Sequence, residues 1–291
     1  INRLFDPLIE VTQNFSTLQT SMVSAGRVFA LIDEHTYEPE QRDTDAKVTE
    51  GNIRFENVSF SYDGKHQILD NISFSVSKGE TIAFVGSTGS GKSLIINVFM
   101  RFYEFQSGRV LLDGVDIRRM KRSDVRQMFG MVLQDTWLFN GTIRQNLMYG
   151  NPKATEEEMI KTAKEAHVDH FVRSLPGGYD MVLCEEAANI SQGEKQLLTI
   201  ARAMLEKAPM LILDEATSSV DTRTEVLIQK AMEKLMQGKT SFVIAHRLST
   251  IRDADLLLVV KDGNIIAQGN HETLLKQNGF YAELYNSQFA E

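Results

Sequence analysis

Apolar residues recur every three or four positions along the first part of the chain: Leu4, Leu8, Val11, Phe15, Leu18, Met22, Ala25, Phe29 and Ile32. That spacing predicts one long helix within residues 1–35, with a single apolar stripe. Pro7 is tolerable in it only near the start. The stripe suits either a coiled-coil seam or a helix packed on the domain that follows, and the flanking positions lack a coiled coil's regular opposite charges. Residues 36–47, TYEPEQRDTDAK, are polar, contain Pro39 and read as a linker. Beyond it the period changes. NIRFENVSFSY, ILDNISFSV and GETIAFVG read as strands, and the short apolar runs in PMLILDE, TSFVIAH and DLLLVV alternate with helical patterns. Strands alternating with helices predict an α/β core with a largely parallel sheet. VVKDGNII predicts a late hairpin turning on Asp262 and Gly263. From about 140 to 205 strand signals fade, and the segment reads as a helical insert. Thr155 with Glu158, and Ser191 with Glu194, have the spacing of capping boxes. After Ser191 the residues Leu197, Leu198, Ile200, Ala201, Met204 and Leu205 follow at helical spacing.

Bulk properties narrow the class. The 291 residues are enough for a sizeable core, and 42% hydrophobic with 24% charged is ordinary for a globular protein. A net charge of −8 and a pI near 5.4 leave no basic footprint for nucleic acid. The single Cys184 excludes an internal disulfide framework and fits a reducing compartment. The longest apolar run, LLLVV at 256–260, is far short of the roughly 18 residues that suggest a membrane span. The chain shows no signal peptide and starts at Ile1 without a methionine, so it is read as a fragment.

Candidate chemistry centres on AFVGSTGSGKSLIINVF. Gly86, Ser87, Thr88, Gly89, Ser90, Gly91, Lys92 and Ser93 spell G-x-x-x-x-G-K-S, between an apolar strand (82–85) and a helix pattern beginning at Leu94. Glycines let backbone N–H groups curl around phosphate oxygens, and the following helix adds its positive end. In such a loop the lysine reaches the β- and γ-phosphates and the serine hydroxyl ligates Mg²⁺. A glycine-rich turn with no ligand is the competing reading. MLILDEATSSVD adds a buried strand ending in Asp214 and Glu215: one carboxylate suits Mg²⁺ and the next suits orienting and deprotonating a water. His246 closes another apolar strand; a lone histidine there is more often structural, but in a parallel sheet that end faces the same crevice.

These pieces, in this order, resemble the nucleotide-binding domain of an ABC transporter over residues 48–291. The resemblance implies a P-loop NTPase core with an antiparallel β subdomain and a helical subdomain at about 140–205. It implies that Tyr62, in SFSYDG, stacks on adenine, and that Gly86–Ser93 with Leu94 bind ATP. It also implies that Gln134 is the Q-loop residue, touching Mg²⁺ and sensing the membrane domain. Ser93 and Asp214 would be the other metal ligands, Glu215 the catalytic carboxylate, His246 the switch histidine on the γ-phosphate, and Asp221 the end of the D-loop. ISQGE falls at the family signature, so that Ser191, Gln192, Gly193 and Glu194 would contact the ATP of an opposite domain. In this family two such domains sandwich two ATP molecules head to tail, and the motion passes to the membrane domain through the region around Gln134 and the loop CEEAAN. The N-terminal PLIEVTQNFSTLQTSMVSAGRVFALID resembles the cytosolic end of the last membrane helix of multidrug-type exporters. Residues 1–35 are then a stub of the chain's own transmembrane domain, packing on a second copy or on this domain, at the cytoplasmic face of a bacterial cell membrane. No nucleic-acid partner is implied. A non-transport ATPase of the same superfamily, or a nucleotide switch with little hydrolysis, is the rival reading.

Some positions depart from the family pattern. The signature is usually L-S-G-G-Q. Here Gln192 replaces a glycine and Glu194 brings negative charge near a polyphosphate, so weaker phosphate contact on a stable helix is expected. A complete set of P-loop-side residues beside a degenerate signature resembles one subunit of a heterodimeric exporter. Ser87 stands where proline is common, and Leu94 where threonine is common, which implies somewhat weaker nucleotide binding. Trp137, Leu138 and Phe139 cannot all face one core: they form either a core corner or a rim for the membrane domain's coupling helix.

Overall fold

The computed structural model describes residues 2–34, 51–134, 136–184, 187–214, 220–244 and 248–288. The chain divides into two units, Ile1–Glu40 and Gln41–Glu291. In the first, the apolar stripe forms helix α1 (Asn2–Ile32). Pro7 falls in its second turn, where the missing N–H removes one rung close to the helix start. Residues 36–47 lie outside the described residues. No helix of the described residues is long and apolar enough to cross a membrane.

In the second unit, β1 (Ile53–Ser61), β2 (Gln67–Val76), β4 (Ser107–Leu112) and β5 (Val115–Asp116) pair antiparallel in the order β2-β1-β4-β5. The main sheet contains β3 (Thr81–Val85), β6 (Phe129–Val132), β9 (Met210–Asp214), β10 (Thr240–Ile244), β11 (Leu256–Lys261) and β12 (Asn264–Gly269). Its order is β12-β11-β3-β10-β9-β6, parallel throughout except for the β11–β12 hairpin. That hairpin turns on Asp262 and Gly263, both at positive φ (48° and 75°), the backbone of a tight two-residue turn.

Side chains of the central strands alternate between two buried faces. Ile82 and Phe84, Met210 and Ile212, Phe242 and Ile244 enter one core beneath the antiparallel sheet. Ala83 and Val85, with Leu257 and Val259, enter a second under the C-terminal helices. Leu211, Leu213 and Val243 enter a third shared with the helical region. Burial on both faces explains the unbroken apolar runs. Phe99 is a hub of the first core: its ring lies 5.5 Å from Phe55, 4.8 Å from Phe129 and 5.3 Å from Phe242, edge-on each time.

Helix α2 (Lys92–Phe99) follows β3, and α3 (Arg122–Gln127) precedes β6. The expected helical stretch contains α4 (Ile143–Met148), α5 (Glu156–Glu165), α6 (Asp169–Ser174) and α7 (Gln192–Glu206). Thr155 and Ser191 each make the capping box read from their spacing. The same stretch also holds a two-stranded ribbon, β7 (Gly141–Thr142) with β8 (Val182–Leu183), too short to show a period in sequence. Then come α8 (Thr222–Met236), α9 (Leu248–Asp253), α10 (His271–Lys276) and α11 (Phe280–Gln288).

Past the end of α2 the buried Arg101 donates to the carbonyls of Ile117 (3.0 Å) and Met120 (2.7 Å) and to Glu104 Oε1 (2.8 Å). Arg122 donates to the same carboxylate oxygen at 3.0 Å. Burial alone pushes the Glu104 carboxyl upward, but the hydrogen bonds and charges of the two arginines outweigh it and hold the group below its ordinary value.

Two outcomes follow. Phe99→Ala is expected to cost about 3–5 kcal/mol, read as a shift of the urea midpoint at unchanged slope. Glu104→Gln is expected to cost about 1–2 kcal/mol at neutral pH. Because the folded-state value is depressed, this contribution is present above the ordinary 4.5 and is lost as pH falls through the folded value, so wild type and variant should converge in acid unfolding series.

Candidate functional site

Parallel register decides what meets at the carboxyl edge of the main sheet. Phe84, Ile244 and Asp214 are aligned across β3, β10 and β9, and Val132 of β6 faces Leu213 of β9. The chain therefore leaves four neighbouring strands at one edge, toward Gly86 after β3, Gln134 after β6, and Asp214 at the end of β9. Glu215 and His246 follow β9 and β10 in sequence and lie outside the described residues.

The loop Gly86–Ser93 turns directly from β3 into α2. Gly86 sits so near the neighbouring strand that an added Cβ would come 2.1 Å from the Val260 carbonyl oxygen. The loop is also braced from the hairpin: Gly263 N–H donates to the Ser90 carbonyl at 3.0 Å. Gly91 occupies the N-cap of α2 without a side-chain cap, so the first N–H groups of the helix are left for other acceptors. Lys92 is buried, and its Nζ donates to the Gly86 and Ser87 carbonyls at 2.7 and 2.8 Å. Burial pushes its pKa below the ordinary lysine value, and the Asp214 charge pulls it part of the way back, which places that carboxylate within electrostatic reach of the ammonium. Ser87, Thr88, Gly89 and Ser93 are exposed. Ser90 is buried under the loop with no hydrogen-bond partner for its Oγ. The Leu94 side chain belongs to the first core.

Tyr62 lies just beyond β1 and is 60% exposed. The end of that strand is clamped by Gln106, whose amide accepts from Ser61 N–H (2.8 Å) and donates to Ser61 O (2.7 Å). Behind Tyr62 stand Phe60 at 4.9 Å and Tyr103 at 5.2 Å, both edge-on. Partial burial, then the contact with Tyr103, raises the Tyr62 pKa. Tyr103 was not singled out in the sequence; the aromatic run Phe102, Tyr103, Phe105 was the available signal.

At the start of α7, Ser191 caps the helix and Glu194 completes the box. Glu194 Oε2 accepts from both Ser191 N and Ser191 Oγ at 2.8 Å, so this carboxylate is committed to the helix end. Gly193 is buried against α8: a Cβ there would meet Thr224 Cγ2 at 2.4 Å and Val220 Cγ1 at 3.0 Å. Asp221 caps α8 by accepting from Thr224 N at 3.0 Å, and its hydrogen bonds to Thr224 hold its pKa below the ordinary aspartate value. Gln192, expected to affect phosphate approach, turns toward the segment after Gln134, donating to Thr136 Oγ1 at 3.1 Å.

That segment splits its apolar residues as the sequence implied. Leu138 is buried in the core shared with the helical region, Phe139 is half-buried, and Trp137 is 62% exposed. Two residues that sequence reading missed hold it. Asn146, an amide in the buried face of α4, accepts from Phe139 N (3.1 Å) and donates to Phe139 O (3.0 Å). Arg202 of α7 donates to Trp137 O (3.0 Å), Asn146 O (2.9 Å) and Asn146 Oδ1 (2.9 Å). The signal for both was a polar residue at core spacing in a helix.

A loop of this shape between a central parallel strand and a helix, with an acidic strand end beside it, defines a P-loop nucleoside triphosphatase domain. Residues 69–218 match the family described as ABC transporter, and the chain belongs to that family as its nucleotide-binding domain. The ATP-binding domains of this family are ATPases. The chain is 58% identical, over 99% of its length, to a Streptococcus pneumoniae protein named as an ABC transporter ATP-binding protein, exp8, and covers 49% of that protein. It is 50% identical over 96% of its length to a Mycobacterium tuberculosis fatty acid ABC transporter ATP-binding/permease protein, covering 44% of it. Among solved structures, a bacterial Atm1-family ABC exporter with ATP bound superimposes with a TM-score of 0.85 at 39% identity, over 100% of this chain and 51% of that one. The chain thus spans about half the length of the curated relatives it matches.

Lys92→Met is expected to weaken nucleotide binding by about tenfold or more and to abolish turnover, measured with a fluorescent nucleotide and a phosphate-release assay.

Proposed function

We propose that this chain is the ATP-hydrolysing domain of an exporter and powers transport by closing on a second nucleotide-binding domain around ATP. The observation that carries this reading is the alignment of Phe84, Ile244 and Asp214 at one sheet edge, with Val132 one residue behind opposite Leu213, from which the P-loop, the acidic strand end and the Gln134 segment all depart. In this reading Tyr62 stacks on adenine, backed by Tyr103. Gly86, Ser87, Thr88, Gly89, Ser90, Gly91 and Leu94 cradle the phosphates with the N-terminus of α2, and Lys92 neutralises the terminal phosphates. Glu215 orients the attacking water and takes its proton, His246 holds the γ-phosphate, and Asp221 belongs to the contact between domains.

Ser93, Asp214 and Gln134 supply oxygen donors, the set that suits Mg²⁺. The exposed Ser93 and the position of Asp214 at the strand end aligned with Ile244 and Phe84 fit that role. When bound there, the ion would offset charge on the phosphate oxygens.

Residues 1–35 are proposed as the end of a membrane helix of the same polypeptide, 36–47 as linker, and 48–291 as the ATPase domain with its helical part at about 140–205. The working place is then the cytoplasmic face of a membrane. Names of relatives support export: besides the fatty acid transporter, an ATP-dependent lipid A-core flippase of Desulfotalea psychrophila is 47% identical over 98% of this chain. The Ser191–Glu194 end of α7 faces the partner domain's ATP. Gln192 and Glu194, both engaged within their own chain, favour a heterodimer in which this signature serves the weaker site.

Glu215→Gln is expected to leave ATP affinity within about twofold while turnover falls at least about a hundredfold, with the protein trapped as a closed dimer on size-exclusion chromatography. Unchanged turnover would remove the general-base assignment. Full ATPase activity of the full-length protein purified alone would remove the heterodimer.

A further inference from the structure

Helix α7 holds the segment after Gln134 at two points, about 15 Å apart along the helix axis. The attachments differ in kind. Arg202 makes the deeper one. Its guanidinium is desolvated enough to lower its pKa, and it donates to Trp137 O and to the backbone and side-chain oxygens of Asn146, which in turn pairs with both backbone groups of Phe139. The other is a single exposed hydrogen bond, Gln192 Nε2 to Thr136 Oγ1 at 3.1 Å, between residues 56 apart in sequence. Gln192 is the first residue of α7, beside the Ser191 cap, and Thr136 lies two residues beyond Gln134. The glycine usual at this signature position has no side chain to make such a bond. The first attachment rests on several part-buried bonds through Asn146, the second on one exposed bond.

We infer that Gln192 is a positioning residue: its hydrogen bond to Thr136 ties the capped end of α7 to the segment after Gln134. The orientation of the signature then follows how that segment is held. The inference rests on the functional reading above. It also reassigns Gln192 from an obstacle at a phosphate to a link within its own chain. Gly193 keeps α7 seated on α8, so the link adjusts the helix end without displacing the helix body.

Gln192→Met and Thr136→Val keep side-chain size and remove one partner each; Thr136→Ser keeps the hydroxyl. In the full-length transporter, hydrogen exchange is expected to be reciprocal: Gln192→Met raises exchange over 136–139, and Thr136→Val raises it over 191–195. Each single variant is expected to lower kcat for ATP about two- to tenfold, the range of one neutral hydrogen bond, with KM unchanged. The double variant should be no worse than either single one, and Thr136→Ser should match wild type. Exchange changes confined to the altered segment, or additive losses in kcat, would overturn the link. A raised KM at constant kcat would return Gln192 to nucleotide contact and overturn it as well. If the wild-type transporter does not hydrolyse ATP, the functional reading itself fails, and the exchange experiment alone decides whether the link exists.

Discussion

Strand register is the constraint on which the rest of this molecule depends. Four parallel strands have to end within one residue of each other, and each can do so only if its side chains alternate correctly into the cores on the two faces of the sheet. A slip of one residue in β9 would turn Leu211 and Leu213 toward the face now filled by Met210 and Ile212 and carry Asp214 off the edge. The aromatic group around Phe99 fixes the neighbouring elements, because it ties α2, and with it the end of the P-loop, to rings from the antiparallel sheet and from β6 and β10. Placement of the phosphate loop is thus a product of core packing, and the loop's own residues need only tolerate the position they are given.

Helix α7 has a comparable double role. Its N-terminus carries the Ser191–Glu194 capping box, and its body contacts α4, α5, α8 and β6. Arg202 extends that reach to the backbone of Trp137, whose exposed ring stands at 6.0 Å from Phe139. One rigid element therefore touches the surface segment after Gln134, the capped turn that opens α8, and the edge strand of the main sheet. A displacement at any of these is felt along the helix, since buried side chains offer few intermediate arrangements.

Much of this was legible in the residues. The glycine-lysine-serine spacing, the doubly buried strands, the Asp262–Gly263 hairpin and both capping boxes are local patterns with one physical solution each. Contacts made by residues far apart in sequence were not legible. Tyr103 approaches Tyr62 across 40 intervening residues, Asn146 and Arg202 meet from separate helices, and Gln192 finds Thr136 only after the fold is complete. The β7–β8 ribbon escaped notice because two-residue strands have no period. Gln192 is the instructive case. Judged against a family pattern it was a defect of the phosphate end, yet the folded chain gives the amide a partner elsewhere.

Gly193 shows how one residue can answer to two masters. A side chain at 193 would press on Thr224 and Val220, which would have to shift to admit it, whatever the helix end binds. The neighbouring position 192 meets no such wall and accepts a glutamine. The adjacent positions therefore answer to different demands: residue 192 to what its side chain can reach, residue 193 to the packing of α7 on α8. The glycine at 193 is thus accounted for by helix packing alone, without reference to any ligand.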